Sequence, residues 1–236
     1  MRFACLMPTY GRRAALLANS LACFESQTHQ DRLLVIYDDL GTLEDCRAND
    51  AIVISTRQRA ASVGAKYNTM IGMLLDRDIR FDAVAVWDDD DIYLSEYLAS
   101  HAAALASERW SKPSQIISAY HQPPAIESGA GRFHGSLAVR RDTAVKIPWT
   151  ETTRATFDQE HLAQLGKHAG AAGDPCEFGP PQYVYRWQTS GAGHCSGLMG
   201  RDDWYERYQP DSREPIAELT PAFDADTTRF FGRPDG

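Results

Sequence analysis

The sequence has few cysteines, no long apolar run and no excess of basic residues. Its five cysteines are scattered, odd in number and without CxxC spacing, which argues against a disulfide framework and is typical of a reducing compartment. The apolar runs, such as residues 33–37 and 83–87, are only long enough for strands, so no membrane-spanning segment is predicted. The apolar stretch at the N-terminus is too short for a signal peptide. We therefore expect a cytoplasmic protein.

The composition is that of an ordinary globular protein. Apolar residues make up 43% and charged residues 24% of the 236 positions, which argues against general disorder and allows one domain with a sizeable core. The 24 basic and 32 acidic residues give a formal net charge of −8. This balance argues against a nucleic-acid binder with a basic surface, although a small basic groove within an acidic protein is compatible with it.

Short apolar runs alternate with amphipathic stretches in the first half of the chain. The runs at 2–7, 33–37, 51–55 and 81–87 are predicted strands, and helical spacing of apolar residues predicts helices over 12–26 and 60–75. Nearly continuous apolar strands that alternate with helices predict an α/β fold with a largely parallel sheet covered on both faces.

The second half of the chain is less regular. We predict helices over 93–108 and 157–168, a strand over 115–120, an extended segment over 133–139, and loops over 122–132 and 169–181. From residue 202 onward the sequence is polar and aromatic by turns and interrupted by prolines, which predicts an irregular C-terminal arm.

Four consecutive aspartates, Asp88 to Asp91, follow the predicted strand at 81–87. Alternate residues of an extended segment point the same way, so Asp88 and Asp90 share one side. Two carboxylates that converge at the end of a strand repel each other unless a cation lies between them, and such oxygen ligands suit Mg²⁺ or Mn²⁺. We predict a metal site here, where open α/β sheets bind ligands. The alternative is a solvated turn in which Asp91 caps the next helix.

Several segments, taken in order, resemble the family 2 glycosyltransferases of GT-A fold. The similar segments are Pro8-Thr9-Tyr10-Gly11-Arg12, Asp38-Asp39, Gly64-Ala65-Lys66-Tyr67-Asn68, Asp88-Asp89-Asp90 as a DxD motif, and Thr156-Phe157-Asp158-Gln159-Glu160-His161 followed by Gly170. The chain departs from the family where Lys66 and Tyr67 replace an arginine before the asparagine, and where Phe157 replaces a glutamate before the aspartate.

The resemblance implies a GT-A domain over residues 1–200, with a nucleotide-binding half at 1–92, an acceptor half at 93–200 and a C-terminal extension at 201–236. It implies an inverting transfer of a sugar from a nucleotide-diphosphate donor, expected to be a UDP-sugar, to an acceptor hydroxyl, with Mn²⁺ or Mg²⁺ as cofactor. The residues implied for substrate binding are Pro8, Thr9, Tyr10, Arg12, Asp38, Lys66, Asn68, Asp88, Asp89 and Arg186.

The resemblance also assigns the metal ligands and the catalytic residue. It makes Asp90 the direct metal ligand, Asp88 a contact to ribose or to a metal-bound water, and His194 a third ligand. Asp158 is the implied general base, since a carboxylate aimed at the acceptor hydroxyl can take its proton as the new bond forms, and Glu160 is the fallback.

Each of these positions has an ordinary structural alternative. Asp38 could serve a turn with Gly41, and Asp158 could cap its helix. His194 could be exposed in a glycine- and serine-rich loop, and Arg186 could be a surface residue of a strand. Lys66 and Asn68 could pack rather than bind. The tryptophans Trp149, Trp187 and Trp204 could stack on a sugar or belong to the core.

Two other functions stay open from the sequence. A nucleotidyltransferase of related fold would need a glycine-rich phosphate loop after the first strand, and residues 8–13 contain one glycine. A sugar-nucleotide-binding module without catalysis is the non-enzymatic alternative. No residue pattern identifies the acceptor, which could be a glycan, a small molecule or a modified nucleic-acid base, or the oligomeric state.

Overall fold

The computed structural model of the chain describes residues 1–9, 14–43, 46–48, 50–118, 125–129, 134–154, 156–185 and 214–215. Its strands are β1 Phe3–Thr9, β2 Arg32–Asp38, β3 Cys46–Ala48, β4 Ala51–Ser55, β5 Ala83–Val86, β6 Ile92–Tyr93, β7 Trp110–Ser111, β8 Gln115–Ser118, β9 Ala125–Ser128, β10 Ala138–Arg140, β11 Tyr183–Tyr185 and β12 Glu214–Pro215. Its α-helices are α1 Ala14–Glu25, α2 Val63–Asp76, α3 Tyr97–Ala104, α4 Arg141–Lys146 and α5 Phe157–Ala169, and 3-10 helices cover His134–Ser136 and Pro175–Phe178.

The larger of two sheets has the strand order β3-β4-β2-β1-β5-β10-β7. Its centre is parallel, because β1 pairs in parallel with β2 and with β5, and β2 pairs in parallel with β4. Strands β3 and β10 are antiparallel to their neighbours. The carboxyl ends of the parallel strands therefore meet at one edge, which brings Thr9, Asp38, Ser55 and the residues after Val86 together.

The hydrophobic core lies on both faces of this sheet. Phe3, Cys5 and Met7 of β1 pack on one face with residues of α1, and Ala4 and Leu6 pack on the other with residues of α2. Because successive side chains of a strand alternate between faces, a strand buried on both sides requires a continuous apolar run. The prediction of an α/β sheet covered by helices on both faces is confirmed.

The smaller sheet has the order β12-β9-β8-β11-β6. It corrects two predictions from the sequence. The predicted helix over 93–108 begins only at Tyr97, because Ile92 and Tyr93 form β6 and pair with β11. The predicted loop over 122–132 contains β9, which forms a hairpin with β8.

Two further differences concern single elements. The segment predicted as extended over 133–139 begins with the 3-10 helix His134–Ser136 before β10. The short elements β3 and α4 were not predicted. Within the described ranges, no helix is long and apolar enough to cross a membrane.

Candidate active site

The acidic loop, residues 88–91, connects β5 of the larger sheet to β6 of the smaller one. Aromatic rings lie beneath it: Trp87 stacks on Tyr93 with a centroid distance of 4.1 Å, and the Tyr93 hydroxyl accepts a hydrogen bond from the Asp88 N–H at 2.6 Å. Burial, followed by the charges of Asp88 and Asp91, raises the pKa of Tyr93 well above its ordinary value, so its hydroxyl stays protonated. The stacked Trp87 and Tyr93 rings thus hold the backbone of the acidic loop in place.

Asp91 does not cap a helix, which corrects the alternative drawn from the sequence. Its Oδ2 accepts a hydrogen bond from the hydroxyl of Tyr183 in β11, and its side chain is buried. Helix α3 begins several residues later, at Tyr97. Asp91 therefore ties the acidic loop to the smaller sheet.

Both carboxylate oxygens of Asp88 face polar groups from other parts of the chain. The Tyr67 hydroxyl in α2 donates to Oδ1 at 2.9 Å, and Nε2 of His134 lies 3.4 Å from Oδ2. Gly135 approaches so closely that a Cβ there would lie 2.8 Å from Oδ2. The same Cβ would lie 2.6 Å from the Tyr183 hydroxyl, so a side chain at position 135 would displace Asp88 or Tyr183.

His134 joins Asp88 to Asp158. Its Nδ1 lies 3.3 Å from Asp158 Oδ2, on the opposite side of the ring from the nitrogen that faces Asp88. Burial lowers the pKa of His134, but the Asp88 charge and the hydrogen bond and charge of Asp158 outweigh burial and raise it to about 9. The ring is therefore an imidazolium between two carboxylates at neutral pH.

Asp158 lies in the first turn of α5, where the helix dipole favours a negative charge. Burial raises its pKa, but His134 and the Gln159 N–H, which donates to Oδ1 at 2.8 Å, outweigh burial and leave the pKa below its ordinary value. The N-cap of the helix is Thr156, so Asp158 is not the capping residue. The fallback base Glu160 accepts a hydrogen bond from the Thr156 hydroxyl at 3.1 Å.

His134, Gly135 and the hydroxyl of Tyr67 were not predicted as site groups. In the sequence, Tyr67 belongs to the apolar face of the predicted helix at 60–75 and is a departure from the family pattern. Neither feature indicates that its hydroxyl binds Asp88. The signal for His134 was weak: a histidine followed by glycine at the start of an extended run, after a loop rich in glycine.

A second polar network lies at the ends of β1 and β2. The Thr9 hydroxyl donates to Asp89 Oδ2 at 2.7 Å, and Lys66 Nζ donates to the Thr9 carbonyl at 3.1 Å. Lys66 also pairs with the buried Asp39 at 2.9 Å, which Arg59 approaches to 3.3 Å. Thr9, Lys66 and Asp89 are therefore next to one another, as their predicted role in one binding pocket requires.

Asp38 holds the turn that follows β2. Its carboxylate accepts hydrogen bonds from the backbone N–H groups of residues 40, 42 and 43 and from the hydroxyls of Thr42 and Ser55. Burial raises the pKa of Asp38, and these hydrogen bonds lower it further than burial raises it. Gly41 adopts φ +68° within the turn, a conformation that glycine tolerates best. The turn role is thus observed, and contact with a nucleotide stays a prediction.

Asn68 fastens α2 to the segment after α4. Its amide donates to the Trp149 carbonyl at 3.0 Å and to Glu151 at 2.8 Å, and its carbonyl oxygen accepts from the Trp149 N–H at 2.9 Å. Trp149 itself is buried between the rings of Tyr67 and His161. Asn68 and Trp149 therefore have structural contacts in this conformation, and Trp149 belongs to the core.

Four predicted site residues, Tyr10, Arg12, Arg186 and His194, lie outside the described residues, as do Trp187 and Trp204. Pro8 is half-buried on β1 beside Tyr37. Among the residues that the structure describes, no group of three His, Cys, Asp or Glu side chains is arranged to hold a metal ion. The donor chemistry of Asp88 and Asp90 suits Mn²⁺ or Mg²⁺, since Mg²⁺ is commonly bound by one or two carboxylates with water and substrate phosphate oxygens as the other ligands.

A separate cleft lies between α4 and the C-terminal half of α5. It has a volume of about 580 Å³, and its lining includes Arg109, Lys146, His168 and Trp149. It contains none of the predicted site residues, so the acidic loop, and not this cleft, is the candidate centre for chemistry.

No protein-family model matches the chain, and no curated protein matches its sequence. Solved structures do. Residues 1–349 of S. aureus TarS, in a crystal structure with UDP-GlcNAc, share 17% identity with a TM-score of 0.58 over 83% of this chain and 61% of that one. The same TarS segment solved without a named ligand gives 15% identity, a TM-score of 0.56 and coverages of 87% and 63%. The complex of this segment with UDP shares 16% identity with a TM-score of 0.55 over 79% of this chain and 60% of that one.

These similarities establish the fold. The chain has the GT-A-type α/β fold of the TarS structures, as the sequence predicted, and it spans about three fifths of the TarS segment that it matches. At such low identity the similarity carries the fold alone.

Proposed function

We propose that the protein is a metal-dependent glycosyltransferase that moves a sugar from a nucleotide-diphosphate donor, a UDP-sugar, to an acceptor hydroxyl. One observation carries the proposal: Asp88 of the DxD motif and the candidate base Asp158 converge on His134. Asp88 lies two residues after the end of β5, and the parallel strands end at that edge, where α/β sheets bind ligands. The TarS structures with UDP-GlcNAc and UDP support a donor of this class for the fold.

In the proposed reaction the acceptor oxygen attacks the anomeric carbon of the donor sugar. The new carbon–oxygen bond forms as the bond to the diphosphate breaks, the nucleoside diphosphate leaves, and the acceptor proton goes to Asp158. Because His134 keeps the pKa of Asp158 low, the carboxylate is ionised and ready to accept that proton at neutral pH. Displacement from the face opposite the leaving group would invert the anomeric centre.

Asp90 and Asp88 would hold the divalent cation, with His194 as a further ligand. When bound, such a cation would neutralise the charge that develops on the leaving diphosphate. Thr9, Lys66 and Asp89 would form the donor pocket together with Pro8, Tyr10, Arg12, Asp38, Asn68 and Arg186.

The test measures release of UDP from UDP-GlcNAc, with water as acceptor, in the presence of Mn²⁺. We expect Asp158→Asn and Asp90→Ala each to lower kcat at least 100-fold, a size typical of a lost general base or charge-stabilising group. Glu160→Gln is the matched control, two residues from Asp158 on the same helix, and should stay within three-fold of the wild type.

Three results would contradict the proposal in different ways. A wild type that releases no UDP and is not stabilised by UDP with Mn²⁺ would exclude a sugar-nucleotide enzyme. UDP binding without turnover, unaffected by Asp158→Asn, would identify a binding module. If Asp158→Asn kept full activity and Glu160→Gln lost it, Glu160 would be the general base.

A further inference from the structure

Three aromatic rings stack on one another behind the candidate active site. Trp149 lies between Tyr67, at a centroid distance of 4.4 Å and an interplanar angle of 29°, and His161, at 4.0 Å and 19°. All three side chains are buried, with relative exposures of 0%, 5% and 2% for Tyr67, Trp149 and His161. Contact at these distances leaves no room for either outer ring to shift independently of the indole.

Each end of the stack leads to one of the two carboxylates. Tyr67 donates its hydroxyl to Asp88 Oδ1 at 2.9 Å. His161 follows Asp158 by three residues on α5, so the two side chains project from the same face of that helix. The stack therefore connects the acidic loop to the helix that carries the candidate base.

The middle ring is fixed to α2 by the backbone that carries it. The side-chain amide of Asn68 bonds both the N–H and the carbonyl of Trp149, at 2.9 and 3.0 Å. Gly64 contacts the Thr150 carbonyl so closely that a Cβ at position 64 would collide with it. Trp149 thus moves with α2, and α5 is positioned against it through His161.

Helix α5 is held at its first turn by side-chain contacts, with Phe157 packed against Trp149 and His134 and with Asp158 facing His134. Its N-cap, Thr156, makes no side-chain capping bond. His161 contributes its ring rather than a hydrogen bond from Nδ1, because that buried nitrogen has no partner among the described residues. Burial and, to a smaller extent, the charge of His134 lower the pKa of His161 to about 4, although a hydrogen bond to the Pro148 carbonyl raises it. The stacked ring is therefore neutral at pH 7.

We propose that the Tyr67–Trp149–His161 stack is a positioning device that sets the location of Asp158 relative to Asp88. The three residues are positioning residues and do not touch the reacting atoms. This inference rests on the proposed function of Asp158 as general base. A displacement of about 1 Å at a reacting group can cost on the order of 100-fold in rate, so loosening the stack should lower kcat without weakening donor binding.

The test compares His161→Ala, which removes a ring, with His161→Phe, which keeps a ring and removes both nitrogens. We expect His161→Ala to lower kcat for UDP-GlcNAc hydrolysis at least 10-fold while the Kd for UDP stays within two-fold. His161→Phe should restore kcat to within three-fold of the wild type. In an Asp158→Asn background, His161→Ala should cause no further loss, because both substitutions act on the same group.

His29→Ala is the control for a merely structural effect. It removes an edge-to-face ring contact with Phe3, at 5.3 Å, at the amino end of β1 and far from the acidic loop. We expect it to lower the melting temperature while kcat stays within two-fold of the wild type. If His161→Ala behaves as His29→Ala does, or if its loss multiplies with that of Asp158→Asn, the positioning role is refuted.

Hydrogen exchange gives a readout that does not depend on activity. Amide groups in the first turn of α5 should exchange faster in His161→Ala and at the wild-type rate in His161→Phe. If the wild type releases no UDP, the proposed function fails, and this comparison alone decides the inference. Unchanged exchange in His161→Ala, or equally fast exchange in both variants, would overturn it.

Discussion

The imidazolium of His134 between Asp88 and Asp158 makes a specific prediction about stability and pH. The pKa of His134 rises from an ordinary value of 6.5 to about 9 in the folded protein. Since the folded state holds the proton more tightly than the unfolded chain, the stabilisation is fully present below pH 6.5 and is lost as pH rises to about 9. At about 1.4 kcal/mol per pH unit, the protonated ring contributes about 3 kcal/mol at pH 6.

The assay is urea unfolding followed by tryptophan fluorescence, in EDTA, for the wild type and His134→Asn at half-unit steps from pH 6 to pH 9.5. The difference in free energy of unfolding between the two proteins should shrink by about 3 kcal/mol across this range. Burial gives His101 and His161 pKa values of about 3 and 4 in the folded protein, and because both proteins keep these two histidines, their effect on stability cancels in the difference between the wild type and His134→Asn.

Asp158→Asn provides the matched comparison. It removes one of the two carboxylates that face the ring, so its stability should fall less steeply between pH 6.5 and pH 9 than that of the wild type. Parallel stability curves for the wild type and His134→Asn would refute the reasoning, because they would mean that His134 does not hold its proton between the carboxylates.

Three further substitutions and one control test the packing around the site by thermal or urea unfolding. Gly135→Ala places a Cβ 2.8 Å from Asp88 Oδ2 and should cost about 1–3 kcal/mol and lower UDP-GlcNAc hydrolysis, whereas the matched Gly72→Ala meets nothing within 4 Å and should stabilise α2 by about 0.5–1 kcal/mol. Asn68→Ala removes hydrogen bonds to both backbone groups of the segment that it fastens and should cost about 2 kcal/mol. Asp38→Asn should lower the free energy of unfolding by about 2 kcal/mol at pH 7. Because the pKa of Asp38 is lower in the folded protein than in the unfolded chain, this cost should shrink below pH 4, where the wild-type carboxyl takes up a proton.

The parallel half of the fold could be predicted because its signals are local. Strand β4 matches the predicted range of 51–55, and β1, β2 and β5 lie within about two residues of theirs, since strands buried on both faces need unbroken apolar runs. The smaller sheet could not be predicted in the same way. Tyr93 was assigned to a helix because its strand partner, β11, is distant in the chain. Strand β9 was assigned to a loop because it lies within a stretch rich in glycine and proline.

The candidate site shows the same division. Asp88 and Asp158 were found because each lies within a motif, and the structure places both against His134. His134 belongs to no motif and gains its meaning only when the 3-10 helix at 134–136 brings it between them. Asp38 and Asn68 illustrate the reverse case, in which a residue type suited to ligand binding forms hydrogen bonds within the protein.

The acidic loop is also one of the covalent connections between the two sheets. Only Trp87 separates its first residue from β5, and its last residue is followed at once by β6. The partner strand of β6, β11, supplies the tyrosine that binds Asp91. A shift of the smaller sheet would therefore strain the main chain of the acidic loop directly and move its carboxylates, even if the larger sheet stays in place. Substitutions in β8, β9 or β11 that leave the protein folded are therefore expected to lower the catalytic rate, although these strands contribute no candidate catalytic residue.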